Sequence, residues 1–497
     1  MATVTPHPVR PGRALELGLL VIALVLAVGA YALVGLATSD TLPADILGYG
    51  AGLVVLSVGM HLVLRWRAPY ADPVILPVVV ALNGLGLAMI YRIDIAYEAR
   101  ERLAGFAERQ LTWTAVSMVL AATVLVALRD HRTLRRYTYT AMVAGLALLM
   151  LPLAPVIGTE VNGAQIWIRV AGQSFQPAEV GKIVLAVFFA GYLVTNRDTL
   201  ALAGPRVLGL QLPRARDLGP ILLAWLVSLA LLVLERDLGT SLLFFGLFVG
   251  MLYLATERIS WVVIGVGLFL GGAALAAQAF GHVGARFDVW LNALDDDVFQ
   301  RDPGGSGQLV RGLFGMANGG LFGTGLGQGR PDLVPYAESD FIVASLGEEL
   351  GLTGLLAILV LYVIFAQRGL RTAIGVRDGF GKLFAGGMAF VVAFQCFVVV
   401  GGVTRIIPLT GLTMPFLAYG GSSLLANWII AALLLRISDS ARRPAPLPSR
   451  TPDGDAPADA GEPADGPRPP RADRRPTPVL PQGSNHATEV IELGVRE

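Results

Sequence analysis

Residues 14–37 read ALELGLLVIALVLAVGAYALVGLA, with a single charge at Glu16. An α-helix rises about 1.5 Å per residue, so about 20 apolar residues cross the hydrocarbon core of a bilayer. This run is long enough to span. It is too long for the apolar region of a cleavable leader, and no small-residue cleavage site closes it. The pattern recurs. Apolar runs near 46–66, 73–91, 110–128, 137–156, 178–195, 217–234, 238–256, 260–281, 340–366, 382–402 and 412–436 complete a set of about twelve predicted spans, an all-α, polytopic membrane protein. Composition agrees, with 54% hydrophobic and 15% charged residues where a soluble protein carries roughly a quarter charged. The net charge of +1 offers no electrostatic footprint for nucleic acid. The one cysteine, Cys396, lies in the apolar run VVAFQCFVVV and reads as a packed, unreactive thiol.

Basic residues predict the orientation. With Arg10 and Arg13 on the cytoplasmic side, the following inner loops carry Arg65 and Arg67, then Arg129, Arg132, Arg135 and Arg136. Later inner loops carry Arg197, Arg206, Arg214 and Arg216, then Arg258, then Arg368, Arg371, Arg377 and Lys382, and the last span ends at Arg436, Arg442 and Arg443. Both termini are then cytoplasmic. The outer loops mix acids with their bases, as around Asp94, Glu98, Glu101 and Glu108. The largest outer loop runs from about His282 to Ser339, and a loop of that size between spans is usually functional. Beyond Ser438 the chain turns to Pro, Ala, Asp, Gly and Arg, a composition that cannot bury a core and predicts a disordered cytoplasmic tail.

Charged residues at membrane depth are functional candidates. Glu179 and Lys182 share a helix face in QPAEVGK; an interfacial ion pair with a snorkelling lysine is the plainer reading. Asp237, in LERDLGT, either caps the next helix or faces a cavity. Glu338 and Asp340 stand at the entry to a span, while Glu348 and Glu349 lie about two turns in, where one of them needs a buried partner. In GGVTRIIPLTGLTMPFLAYGGSSLLANW, Arg405, Pro408, Gly411, Pro415, Gly420 and Gly421 break an apolar segment, which is tolerated only inside protein or around a cavity. Arg405 is either an anchor at the interface or a ligand for an anionic head group. No Walker-type lysine motif is present, which excludes ATP, and five scattered histidines with one cysteine argue against a His- or Cys-based metal site. A hard divalent cation on carboxylates and phosphate stays open.

In order along the chain, NGAQIWIRVAGQSFQPAEVGK, ERDLGT, RDPGGSG with NGGLFGTGLGQG, ESDFIVASLGEELGLTG and GGVTRIIPLTGLTMPFLAYGGSSLL resemble the signatures of the SEDS family (shape, elongation, division and sporulation), and RPDLVPYAESDFI, QRGLRTAIGVRDGFGK and the final ATEVIELGVRE resemble its RodA-type members from actinobacteria. The resemblance implies a core of about ten spans at 73–438, an N-terminal extension with two spans at 1–72, and the tail at 439–497. It implies a peptidoglycan glycosyltransferase that polymerises lipid II at the outer face of the cytoplasmic membrane, works with a class B penicillin-binding protein, and uses a divalent cation, Mg²⁺ or Mn²⁺. It places the essential carboxylate at Asp302, followed by Pro303, Gly305 and Gly307. Lys182, Glu179, Gln176, Trp167, Asp237, Arg286, Arg311, Asp340, Glu349, Arg405 and Ser422 are the substrate-binding candidates; the metal ligands are not assigned. Glycan extension needs a base for a sugar hydroxyl, which a carboxylate supplies, and positive charge for the departing pyrophosphate. Three departures stand next to these residues. Gln165, Ile166 and Trp167 replace an AQRW pattern and lack its arginine. GQLVRG follows the DP-x-G-x-G stretch without the usual tyrosine, and Arg311 and Gly312 stand near a Gln-Ser position. The preceding segment is longer and carries Asp295, Asp296 and Asp297, read as a solvated acidic loop. Alternatives are a flippase for the lipid-linked precursor, a scaffold for the transpeptidase, and a role in division rather than elongation.

Overall fold

The computed structural model describes residues 12–444, apart from 156, 162–163, 171, 202–205, 208–209, 212–225, 228–229, 231–236 and 302–303. Among these residues, eleven helices are long and apolar enough to cross a membrane. They are α1 (Arg13–Ser39), α2 (Ile46–Arg67), α3 (Ile75–Glu98), α4 (Phe106–Ala127), α5 (Thr138–Met150, flanked by 3₁₀ turns), α6 (Pro177–Ala201), α7 (Leu238–Thr256), α8 (Ile259–Ala279), α12 (Ile342–Gly375), α13 (Gly379–Val403) and α14 (Gly421–Arg442). Shorter helices α9 (Gly281–Leu291), α10 (Asp296–Phe299) and α11 (Gly307–Gly319) build the large loop. The predicted span at 217–234 falls largely outside the described residues, as do Glu235 and Arg236 and the tail from 445.

The bundle is organised around α3. In its most apolar window 89% of residues are buried inside the protein, against 11% for α8 at the periphery. The face of the bundle that carries the 281–339 loop also carries the starts of α6, α7 and α12 and the end of α13. The opposite face is rich in arginine. There Asp72 is held by Arg368 (Nε to Oδ2, 2.9 Å) and by Arg442, Asp439 accepts the Tyr70 amide at 2.9 Å, and Arg436 donates to the Arg67 carbonyl at 2.7 Å.

The first two helices dock on the rest at both ends. Tyr31 stacks between Tyr49 and Tyr91, with ring centroids 4.1 and 4.2 Å away, and its hydroxyl donates to Asp45 at 2.6 Å. At the other end Arg13 bonds Glu16 and the Ala71 carbonyl, while Glu16 meets His61 at 2.7 Å.

The structure departs from the sequence reading in several places. Helix α3 runs on to Glu98, so Arg92 and Asp94 are buried in a helix and not in a loop. Arg92 tolerates this because it has a buried carboxylate partner. Helix α14 begins at Gly421, not near 412, because the prolines and glycines before it hold residues 404–420 in irregular backbone. It then continues past Ser438 to Arg442, with Asp439 buried. Finally, the loop before α6 holds a small antiparallel sheet of β1 (Gly158–Val161), β2 (Ala164–Val170) and β3 (Gln173–Phe175), where Ile166 and Ile168 alternate with Trp167 and Arg169.

Candidate functional site

Six of the nominated residues converge at the loop face. Lys182, in the second turn of α6, is only 1% exposed. Its ammonium lies 2.6 Å from Glu179 and donates to Gln395 Oε1 of α13 at 2.9 Å. This excludes a snorkelling lysine; both charges are enclosed by protein. Asp237 caps α7 through the Thr240 amide at 2.9 Å, and Gln176 reaches its other oxygen at 3.4 Å. Asp237 is therefore the cap, and it is buried. Arg286, in α9, donates to the carbonyls of Leu409 and Thr410, both at 3.1 Å, and interacts electrostatically with Asp237 and Asp340. Burial, partly offset by these two acids, lowers the Arg286 guanidinium. Burial raises Asp237, partly opposed by the Thr240 bond and by Arg286.

Asp340 stands just before α12, outside the spans. Burial, with Glu338 and Asp237 nearby, pushes it from an ordinary 3.8 up to about 7, against the pull of Arg286. The native state thus keeps a proton that the unfolded chain releases near 3.8. Stability should fall as pH rises from about 4 to about 7 and level off above that. We expect Asp340→Asn to remove this limb. Thermal unfolding in detergent across the range checks it, and an unchanged slope in the variant would assign the effect elsewhere.

The irregular segment 404–420 forms a second wall. Arg405 (φ 60°) donates to the Trp290 and Leu291 carbonyls at 2.7 and 2.6 Å, and the Trp290 indole donates back to the Arg405 carbonyl at 3.1 Å. Arg405 therefore clamps α9 to the segment with two of its five N–H donors. Ser422 is buried in the first turn of α14. Beside it Ser423 accepts from Thr413 Oγ1 at 2.9 Å.

Three candidates stand apart from this group. Trp167 is half-buried on β2, opposite Thr159. Arg311 is exposed on α11. Glu349 is fully buried and serves the loop: it accepts from Arg92 Nε at 2.9 Å and from the amides of Gly327 and Gly329 at 2.8 and 3.3 Å, while Arg92 also donates to the Gly329 carbonyl at 2.7 Å. This is the buried partner that the pair Glu348–Glu349 required. At the same level α12 breaks at Gly351 (φ 68°). The loop fills the break: the amides of Leu352 and Thr353 donate to the Gly320 and Leu321 carbonyls at 2.9 and 3.0 Å, and those of Thr324 and Gly325 donate to the Glu348 and Glu349 carbonyls at 2.9 and 3.0 Å. A side chain at Gly351 would collide with the Gly323 amide.

Asp302 and Pro303 lie outside the described residues. Their flanks are well tied. Arg301 pairs with Asp288 at 2.8 Å, the Ser306 amide donates to the Val298 carbonyl at 3.0 Å, and Ser306 Oγ donates to the Ala293 carbonyl at 2.6 Å. Gly304 has φ 89°, and a Cβ on Gly305 would run into the Arg301 and Val298 carbonyls. The positive φ of Gly304 and the crowding at Gly305 thus require glycine at both positions. Asp295, Asp296 and Asp297 are exposed, as a solvated acidic loop should be. Among the described residues no group of three or more His, Cys, Asp or Glu is arranged to hold a metal ion. Sequence reading missed Gln395 and Gln110; a lone amide inside an apolar run is the signal that could have found Gln395.

Fold and site together define a multi-pass helical membrane protein with a buried charged cluster at one face. The family model of the FtsW/RodA/SpoVE cell cycle proteins matches residues 73–443, and the chain belongs to that family. Peptidoglycan glycosyltransferase RodA of Mycobacterium tuberculosis is 51% identical over 447 residues, 89% of this chain and 94% of that protein. The protein of the same name from Mycobacterium leprae is 48% identical over 445 residues, 89% of this chain and 94% of that protein. The crystal structure of Thermus thermophilus rod shape determining protein RodA matches with TM-score 0.53 at 26% identity, over 76% of this chain and 100% of that chain.

Proposed function

We propose that this chain is a peptidoglycan glycosyltransferase that polymerises lipid II into glycan strands during cell elongation. The observation that carries the reading is the 51% identity, along 89% of the chain, to a protein named for that activity. The buried Lys182 cluster supplies the matching chemistry. In the reaction a sugar 4-hydroxyl attacks the anomeric carbon of a second, lipid-linked sugar. The new C–O bond forms as the bond to pyrophosphate breaks. Asp302 accepts the hydroxyl proton in the transition state. The pyrophosphate leaves as a stable anion, so it needs positive charge and not a general acid. Lys182, desolvated and fixed at both flanks, is the group for that role; Arg286 adds charge across the cluster. A glycosidase-type pair of carboxylates is the wrong template, because it protonates a neutral leaving oxygen.

The described residues do not by themselves form a metal site, so no step is routed through a cation. A Mg²⁺ or Mn²⁺ ion would draw its ligands from Asp302 and the pyrophosphate oxygens as well. The arginine-rich face around Asp72, Arg368 and Arg436 supports a cytoplasmic assignment for that side and for both termini, with the 281–339 loop outside the cytoplasmic membrane. We further read 1–72 as a two-span addition, the chain from 73 to the end of α14 at Arg442 as the catalytic core and the remainder as a tail, and a class B penicillin-binding protein as the partner.

The test is direct. The chain, purified with such a transpeptidase and given lipid II and a divalent cation, should make glycan polymer visible on a gel, and a chelator should stop it. A folded complex that makes none would favour a scaffold; one that instead moves the precursor across vesicles would favour a flippase.

A further inference from the structure

Gln395 is wholly buried in the last third of α13, in the apolar run FQCFVVV. Burying an amide in such surroundings costs a few kcal/mol unless its hydrogen bonds are made. Both are made, and to different elements. Oε1 accepts from Lys182 Nζ of α6 at 2.9 Å, and Nε2 donates to the Thr413 carbonyl of the irregular segment at 2.9 Å. The partners fix the orientation of the amide, since an ammonium only donates and a carbonyl only accepts. Glutamate at this position would lose the donor, and methionine would lose both groups.

The rest of the segment is held from the other side. Gln110 of α4 donates to the Ala418 carbonyl at 3.0 Å and accepts from the Gly420 amide at 3.2 Å. Thr413 and Ser423 join the segment to α14 at 2.9 Å. Gln395 is therefore the contact between this segment and the lysine. Gln395 accepts one ammonium hydrogen, and Glu179 lies 2.6 Å away as an ion pair without a hydrogen bond.

We propose that Gln395 is a positioning residue for Lys182: it aims the ammonium at the departing pyrophosphate and ties that aim to the placement of segment 404–420. The inference rests on the glycosyltransferase reading and names a residue that acts through the lysine. It requires that Gln395 matter only while Lys182 is present.

The experiment is a double-mutant cycle on the full chain with its transpeptidase. Gln395→Met is made alone and in a Lys182→Met background. The readouts are kcat and KM for lipid II polymerisation and, independently of turnover, binding of a polyprenyl pyrophosphate. Alone, Gln395→Met should lower kcat about 10- to 100-fold, with a smaller change in KM, and weaken pyrophosphate binding. In the Lys182→Met background it should change binding no further. Gln395→Glu keeps an acceptor for Lys182 and serves if the methionine variant does not fold; its added charge should also weaken pyrophosphate binding. Effects that simply add, or folded Gln395 variants that bind pyrophosphate as the wild type does, would overturn the proposal and leave the glycosyltransferase reading intact. A wild type that neither polymerises nor binds would overturn both.

Discussion

Replacing Lys182 by methionine should reduce glycan polymerisation by about 100- to 1,000-fold, the range seen when one preorganised electrostatic group is removed from an active site. The expectation follows from its setting. A lysine 1% exposed and 2.6 Å from a buried glutamate has lost its hydration and is held by protein dipoles. Desolvating an ion pair is costly and is weak evidence for a purely stabilising role. The single variant would also strand Glu179 as an unpaired buried acid, so folding must be separated from chemistry. The double variant Glu179→Gln with Lys182→Met removes both charges. It should recover most of the stability lost in the single variant and none of the activity. Recovery of polymerisation in the double variant would reduce the pair to a structural ion pair.

Arg92→Ala should be the most destabilising single change at the loop face, by roughly 3–5 kcal/mol, the usual cost of stranding one partner of a buried pair. Glu349 would keep only the Gly327 and Gly329 amides as partners. The damage should not stay local. Glu349 anchors the loop whose backbone fills the break in α12 at Gly351, and the same loop runs back through α11 to Gly307 and the DPGGSG stretch. Thermal unfolding in detergent and polymerisation should therefore fall together. The charge-free pair Arg92→Met with Glu349→Gln should regain stability. An Arg92→Ala protein as stable as wild type would mean that water or lipid reaches Glu349, and the anchoring role would fail.

The membrane class and the placement of ten spans were legible because apolar runs of about 20 residues have few other uses. The span near 412 was misplaced for a reason visible in its own residues. Hydropathy counts Leu412, Met414, Phe416 and Leu417 as span, while Pro408, Gly411, Pro415 and Gly420 keep their backbone irregular. Arg92 was read into a loop because charge ends a hydropathy window, and its partner lies 257 positions away in Glu349. Pairing at that separation has no local signal. For the site, acids and bases at span starts pointed to Glu179, Lys182, Asp237 and Asp340, and the fold brings these together. Arg405 was read as either an anchor or a ligand for a head group, and its two carbonyl partners, from α9, have no signal in the local sequence. Gln395 was passed over because an uncharged amide hardly disturbs hydropathy.

The central claim is that this protein polymerises a lipid-linked sugar with the carboxylate of the DPGGSG stretch as base. The measurement that meets it most directly is glycan polymer formed from lipid II by wild type, Asp302→Ala and Asp296→Ala, each in complex with the transpeptidase. The account predicts polymer from wild type and Asp296→Ala and none from Asp302→Ala. Polymer from Asp302→Ala with loss in Asp296→Ala would move the base into the longer acidic segment, and undiminished polymer from both would contradict the account.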